Sequence, residues 1–265
     1  MKLTINHTTT YIYDHPVDYA LLQTRLTPKH SANQSTIDWS LEIEGGTQCL
    51  AYNDQHCNQV NLIQLQSGQD RLEVRVRGEV RTSDSAGIIE NHQGYAPLWY
   101  FGHQTELTKP GRLLREFTRD VGSGGSEVET LHELSAAIRN QVAYKTGETY
   151  ASTTAEDALA GGFGVCQDHA QIMIGAARML GLPARYVSGY LLMDGQIDQD
   201  ATHAWAEVHI NGIGWVGFDV SNGISPDERY VRVATGLDYT EAAPISGMRL
   251  GTSQETMIVS LQVQQ

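Results

Sequence analysis

Basic residues, cysteines and long apolar segments are scarce in this sequence. Its 265 residues include 18 Lys and Arg against 31 Asp and Glu, a formal charge of −13, so we expect no surface for nucleic acid or an anionic membrane. No segment approaches the roughly 20 apolar residues of a membrane span, and residues 1–15 do not contain the apolar core of a signal peptide. Three cysteines, an odd number, do not suggest a disulfide framework. These observations predict a cytoplasmic globular protein.

The first third of the chain is predicted to be β-structure. With 40% hydrophobic residues, a chain of this length can bury one large core or two modest ones. Residues 4–13, 36–44 and 71–80 are rich in β-branched and aromatic side chains, and the last two alternate as half-buried strands do. We predict an antiparallel β-sandwich-like domain over residues 1–82, with a structural or substrate-orienting role. A connector with a short helix follows over residues 83–125.

Helical patterns follow the predicted β-rich domain. Pro110 suits the first turn of a helix, and the glycine-rich segment 122–125 interrupts the pattern. Residues 126–129 form a capping box at the start of a helix that runs to about residue 142, and residues 154–157 start a shorter helix in the same way.

Cys166 lies in the most informative segment of the chain, residues 161–183. Three glycines precede the cysteine and allow another chain to approach its sulfur. Apolar residues then follow at helical spacing until Gly181 and Pro183 end the helix. A thiol in the first turn faces unpaired N–H groups and the positive end of the helix dipole, so it should ionise more readily than a free thiol. A buried, inert cysteine in a glycine-rich turn is the alternative.

Strands are predicted again after this helix, first over residues 184–193. Residues 203–210 alternate strictly, which places His203 and Glu207 on one face. The following strand, residues 214–221, is joined to them by a turn-rich segment. A hairpin of this length puts Asp219 opposite or diagonal to His203 on the same face, whereas a register slip of one residue would separate them.

Cys166, His203 and Asp219 supply the parts of a Cys-His-Asp system. His203 would take the proton of Cys166 and later protonate a leaving amine, while Asp219 would fix the imidazole tautomer and stabilise its charged form. Attack of the thiolate on an amide carbonyl would give a thioester. The backbone N–H of Cys166 would be one donor to the oxyanion, and Tyr144 and Gln167 are candidates for the second.

Other residues around these three have less definite roles. His169, one helical turn after the cysteine, either lines the site or is a polar residue on the helix flank. Asp168 is expected to favour the helix start rather than act as an acid. Glu207 could replace Asp219 as the orienting carboxylate. Trp205 and Trp215 are expected to be core residues or groove walls.

We expect no metal and no cofactor. Cys49 and Cys57 stand near His56, but no second Cys/His pair of matching spacing completes a metal motif. The acidic loop 194–200 does not have the ordered ligand spacing of a calcium loop.

Four ordered blocks, GVCQDHA, GLPARYVSGY, HAWAEV and GWVGFD, resemble the core of the bacterial transglutaminase-like superfamily, whose members are often described as candidate cysteine proteases. Residues 1–80, from MKLTINHTTTYIYDHPV through RLEVRVRGEV, are similar to the β-rich N-terminal region that accompanies this core, and residues 227–251 are similar to the segment that follows it. The resemblance implies that the nucleophile is Cys166, the histidine His203 and the aspartate Asp219.

The same resemblance implies an α+β fold. A papain-like or transglutaminase-like core, in which the cysteine-bearing helix packs on an antiparallel sheet, would occupy residues 126–265 together with a C-terminal strand. The chain departs from the family pattern where Val220 and Ser221 replace Pro and Thr, and where His169 replaces a common aromatic residue.

The sequence therefore predicts a thiol-dependent amide hydrolase that acts on a peptide or protein substrate. A transglutaminase or acyltransferase with an amine acceptor is the alternative, and a non-catalytic binding protein on the same fold is the second. The natural substrate and the oligomeric state are left open.

Overall fold

The computed structural model describes residues 1–89, 92, 94–121 and 125–265. The strands are β1 (Lys2–Tyr13), β2 (Tyr19–Thr24), β3 (Gln34–Glu44), β4 (Gly46–Asn53), β5 (Gln59–Leu65), β6 (Arg71–Thr82), β7 (Ala143–Tyr144), β8 (Phe163–Gly164), β9 (Ala184–Leu191), β10 (Asp198–Gln199), β11 (His203–Ile210), β12 (Gly214–Phe218), β13 (Tyr230–Gly236), β14 (Ile245–Leu250) and β15 (Glu255–Gln264). The helices are α1 (Arg112–Asp120), α2 (Glu127–Gln141), α3 (Ala155–Gly161), α4 (Cys166–Met179) and α5 (Tyr239–Ala242), with a 3₁₀ turn at Leu98–Gly102. Among the described residues, no helix combines the length and the apolar character needed to cross a bilayer.

Two antiparallel sheets form the N-terminal module. Their strand orders are β10-β15-β1-β6-β3 and β14-β2-β5-β4. Leu72, Val74, Val76 and Val80 of β6 are buried, as the period-two pattern predicted. The alternation predicted for β3 is not matched by its burial, because Ile37 is exposed and no side chain from Thr36 to Glu44 is fully buried. The apolar side chains of β1, β2, β5 and β6 meet in one cluster between the sheets, so the predicted strands and the sandwich-like arrangement are confirmed.

The core carries the cysteine-bearing helix on a third antiparallel sheet, of order β12-β11-β9-β13. Helix α4 packs on this sheet through a cluster that includes Ile172, Met173, Ala206 and Val208, all with at most 1% of their surface exposed. The predicted α+β fold, with a helix-borne cysteine packed on an antiparallel sheet, is confirmed.

The helix starts follow local side-chain chemistry. Helices α2 and α3 begin with the predicted capping boxes, Ser126 with Glu129 and Thr154 with Asp157. Helix α1 differs from the prediction because it begins two residues after Pro110. The carboxylate of Glu156 accepts hydrogen bonds from the backbone N–H groups of Leu113 and Leu114 in the first turn of α1, at 2.7 and 3.0 Å, and so provides the missing cap. Positions 122–124 of the predicted glycine break lie outside the described residues.

The C-terminal strands lie with the N-terminal module. Strand β15 pairs along almost the whole of β1, from Thr4↔Gln264 to Tyr13↔Glu255, and β14 pairs with β2. The prediction had grouped residues 126–265 together, whereas these pairings tie the last segment to residues 1–82. The difference arises because strand pairing depends on contacts between distant parts of the chain, which local periodicity does not encode.

Candidate active site

Cys166 is the first residue of α4, and the turn before it is held by side-chain hydrogen bonds. Asp168 Oδ2 accepts from the backbone N–H of Val165 at 2.8 Å and from Thr149 Oγ1 at 2.7 Å. A Cβ at Gly164 would lie 2.7 Å from the Asp168 side chain, so the tight turn requires glycine there. The turn leaves the thiol partly exposed at the helix start.

His203 and Asp219 come together on the sheet beside this helix. His203 Nε2 lies 2.6 Å from Asp219 Oδ2. Ala206 pairs with Phe218 in the hairpin, so Asp219, the next residue, lies diagonal to His203 on the same face. The predicted register is therefore confirmed, although β12 ends at Phe218 because Asp219 enters a turn in which its N–H donates to Ile224 O.

The surroundings of His203 favour its protonated form. Burial lowers the pKa of this imidazole, but the hydrogen bonds to Asp219 and to the Cys166 thiol outweigh burial and raise the pKa of His203 to about 10. His203 therefore carries a proton at neutral pH. Because Nε2 is bound to Asp219, the ring presents Nδ1 to the sulfur.

Asp219 is fully buried and stays ionised. Burial alone would raise the pKa of this carboxyl, but hydrogen bonds from His203, Asn222 and Tyr230 lower it. Asn222 Nδ2 and Tyr230 Oη each lie 2.7 Å from Asp219 Oδ2. The carboxylate is thus held as an acceptor.

A groove of about 380 Å³ runs past Cys166 and His203. Tyr144 and Gln167 line one part of it, and residues 199–202 of the loop before β11 line another. A substrate segment in this groove would contact the thiol, the imidazole and the loop together.

The two candidate oxyanion donors, Tyr144 and Gln167, differ in whether other groups already engage their N–H or O–H donors. Burial and the nearby acidic groups raise the pKa of Tyr144 to about 12, so its phenol keeps the proton that it would donate. The Nε2 of Gln167 is directed to the carbonyl oxygens of Ala151, at 3.3 Å, and Tyr150, at 3.5 Å. This geometry favours Tyr144, whose role stays a prediction.

His169 and Trp205 lie behind the groove rather than on its wall. Burial lowers the pKa of His169. Its Nε2 lies 2.9 Å from the carbonyl oxygen of Val142 and its Nδ1 lies 2.8 Å from Ser221 Oγ. Trp205 is stacked on His203 with ring centroids 6.2 Å apart. Trp205 thus contacts His203, and His169 contacts Tyr144 with ring centroids 6.2 Å apart, so each lies against a residue that borders the groove.

Glu207 is engaged away from His203. Its carboxylate lies 2.6 Å from Arg185 Nε and 2.6 Å from Arg232 Nε, and all three residues are buried. This geometry therefore does not support the alternative in which Glu207 orients His203.

Within residues 1–89, 92, 94–121 and 125–265, no three His, Cys, Asp or Glu side chains are grouped as ligands. His56, considered above with two cysteines, pairs through Nε2 with Glu241 at 2.7 Å. Asp198 of the acidic loop accepts a hydrogen bond from Gln262 at 2.8 Å.

The sequence analysis did not identify Tyr230, Asn222 or Tyr186 as site residues. Tyr230 and Asn222 bind Asp219, and Tyr186 forms part of the groove. Asn222 and Gly223 form an Asn-Gly pair that begins three residues after Asp219, and this turn signal could have drawn attention to Asn222. Tyr186 and Tyr230 lie in buried strands, where no local pattern distinguishes them from core tyrosines.

Comparison with protein families agrees with the geometry. Residues 115–220 match the transglutaminase-like superfamily, and residues 3–81 match the bacterial transglutaminase-like N-terminal region. The core of this chain belongs to the transglutaminase-like superfamily. Cys166, His203 and Asp219 all lie within the part that matches the transglutaminase-like core.

Relatives of this transglutaminase-like protein occur in mycobacteria. An uncharacterized protein of Mycobacterium leprae is 27% identical and covers 99% of this chain and 98% of its own length. One from Mycobacterium tuberculosis is 34% identical, but the match spans 58% of this chain and 57% of that relative. The crystal structure of a candidate cysteine protease from Cytophaga hutchinsonii has a TM-score of 0.80 at 22% identity, covering 99% of this chain and 90% of that one. This likeness shows a shared fold.

Proposed function

We propose that this protein is a cysteine-dependent hydrolase of amide bonds, a peptidase or amidase that acts on a peptide or protein. The observation that carries the proposal is the placement of Cys166 and His203 on one groove, with His203 Nε2 2.6 Å from Asp219. The match to a superfamily whose members are typically cysteine-dependent enzymes supports it.

The proposed reaction has two stages. The thiolate of Cys166 attacks the amide carbonyl, a C–S bond forms, and the C–N bond breaks as His203 protonates the leaving amine. Water then attacks the thioester while His203 accepts its proton, a C–O bond forms and the C–S bond breaks, which releases the acid and restores the thiolate and the protonated imidazole. The Cys166 backbone N–H and the Tyr144 phenol would stabilise the oxyanion of each tetrahedral intermediate.

Transfer to an amine is the second candidate function, and the transglutaminase-like match favours it. The two reactions share the thioester and differ in whether water or an amine resolves it, which depends on how far the groove excludes water. The test is to incubate the protein with a glutamine-containing peptide and a primary amine, and to weigh the product. A free acid or a cleaved peptide supports hydrolysis, whereas an amine adduct supports transfer.

A non-catalytic binding protein is separated from both enzymes by the reactivity of the thiol. An enzyme should react through Cys166 with iodoacetamide at neutral pH faster than a free thiol does, and His203→Ala should abolish the difference. If Cys166 reacts at the rate of a free thiol and His203→Ala changes nothing, the catalytic proposal fails.

A cytoplasmic location is part of the proposal. All three cysteines are free thiols, and two of them, Cys49 and Cys57, are exposed. A reducing compartment would keep the nucleophile and these exposed thiols from oxidation.

A further inference from the structure

Tyr230 is a buried neighbour of the His203–Asp219 pair. Its hydroxyl lies 2.7 Å from Asp219 Oδ2, the oxygen that also lies 2.6 Å from His203 Nε2 and 2.7 Å from Asn222 Nδ2. An ionised carboxylate can only accept hydrogen bonds, so three donors meet at one oxygen atom. Each donor reduces the electron density that the oxygen offers to the other two.

The phenol is fixed in this donating position. The Tyr230 ring lies 6.0 Å from the His203 ring and stands edge-on to Trp205, with centroids 5.4 Å apart. Its backbone pairs with Leu191 in the neighbouring strand β9. Burial and the negative charge of Asp219 raise the pKa of Tyr230 well above its usual value, so the hydroxyl keeps its proton at every pH at which the protein would work.

We propose that Tyr230 is a positioning residue: by donating to the oxygen that binds His203, it limits how tightly Asp219 holds the charged imidazole. The proposal rests on the proposed function, in which His203 must give a proton to the leaving amine and later accept one from water. An imidazole bound too tightly in its charged form would be a poor acid and a poor base for these steps.

Other titratable groups also face this carboxylate. His203 belongs to β11, Tyr230 to β13, His169 to α4 and Tyr144 to β7, and Asp219 acts electrostatically on each of these four. Cys166 of α4 interacts with His203. Of the four, His203 and Tyr230 bind Asp219 through hydrogen bonds. Removing the Tyr230 hydroxyl should therefore act first on His203.

The test uses Tyr230→Phe, which keeps the ring and removes the donor. Tyr190→Phe is the matched control, because Tyr190 is a fully buried tyrosine of the same sheet whose hydroxyl lies 3.0 Å from His7 Nδ1 instead. The rate of Cys166 alkylation by iodoacetamide is measured from about pH 5 to about pH 11, and kcat/KM for a peptide amide over the same range.

Tyr230→Phe should move the alkaline inflection of both profiles to higher pH by roughly half a unit to one unit, because Asp219 then binds the charged imidazole more strongly. Turnover should fall by about three- to tenfold with KM unchanged, since the phenol does not line the groove. Asn222→Ala, which removes the other donor from an exposed position, should shift the inflection in the same direction. Tyr190→Phe should leave it in place.

An inflection that stays in place, or moves to lower pH, in Tyr230→Phe would overturn the proposal and leave Tyr230 a packing residue, whatever Asn222→Ala does. Alkylation needs no turnover of an amide, so this arm remains decisive even if the parent protein hydrolyses no peptide. Failure of the proposed function is thus distinguished from failure of the role of Tyr230.

Discussion

Strand β11 carries two buried ionic groups on one face, four residues apart, and the two groups are built differently. At the first, His203 pairs with Asp219 beside an open groove. At the second, Glu207 is bound by Arg185 and Arg232, and the whole group is enclosed. We call His203 with its partners the reactive end of this pair of groups, and Glu207 with its partners the structural end. Asp219 and Glu207 are both 0% exposed, so burial alone does not distinguish a reactive carboxylate from a structural one.

The residue that pairs with each carboxylate determines whether the group can take part in proton transfer. Arginine does not release its proton in proteins, so Glu207 and its two guanidinium groups form a permanent ion cluster that links β9, β11 and β13. The guanidinium of Arg185 also lies 3.9 Å from the centre of the Trp215 ring. Imidazole gains and loses a proton, so the same kind of carboxylate can serve chemistry at the His203 end.

The largest expected effect is the loss of the nucleophile at the reactive end. Cys166→Ala should reduce kcat by about 10⁶-fold, the scale seen when a catalytic nucleophile is removed, and should leave the thermal unfolding midpoint almost unchanged. The other two cysteines, Cys49 and Cys57, are exposed and lie outside the groove, so their alanine variants are the matched controls. Full activity in Cys166→Ala would mean that Cys166 is not the nucleophile.

The second effect concerns the carboxylate at that same end. Asp219→Asn should lower kcat by about 10⁴-fold, less than Cys166→Ala, because the amide cannot stabilise the charged imidazole. Asp227→Asn is the control, since Asp227 forms a more exposed pair with Arg229, 2.6 Å away, in the same part of the chain. If the Asp219 variant were as active as the parent, the hydrogen bond to His203 would have no role in turnover.

The third effect is on stability and belongs to the structural end. Glu207→Gln leaves two buried guanidinium groups without their counter-charge and should lower the free energy of unfolding by about 3–5 kcal/mol. Glu42→Gln is the control because Glu42 pairs with Arg75 and Arg77 at the surface, where the loss should be at most about 1 kcal/mol. Denaturant titration measures both. Equal losses of unfolding free energy in Glu207→Gln and Glu42→Gln would mean that burial does not increase the contribution of the Glu207 cluster to stability.

Local patterns in the sequence were enough to place His203 beside Asp219. Strict alternation and a short turn determine which side chains share a face, and the capping boxes mark two helix starts. The same patterns left Glu207 as a rival for the histidine, because its two arginines come from neighbouring strands that only the folded sheet brings alongside it. Tyr230 was missed for the same reason. The pairing of β15 with β1, across most of the chain, is also a product of tertiary contacts rather than local sequence.

The last effect is a difference in how the stabilisation from the two ends responds to pH. Folded His203 holds its proton up to a pKa of about 10, whereas an unfolded histidine releases it near pH 6.5. Between these values the folded state binds more protons, so the stabilisation from His203 is complete below about pH 6.5 and is lost as the pH rises towards 10, by at most about 1.4 kcal/mol per pH unit. The parent should have a larger free energy of unfolding than His203→Gln at about pH 6.5, and this difference, measured by denaturant titration, should shrink as the pH rises from about 6.5 towards 10. Glu207 should behave in the opposite way: the two arginines lower the pKa of this carboxyl against the effect of burial, so its stabilisation is present above about pH 4.3 and is lost on acidification. A parent advantage over His203→Gln that stays constant up to pH 10 would contradict the proposed state of the imidazole, because a neutral histidine has no proton to lose over that range.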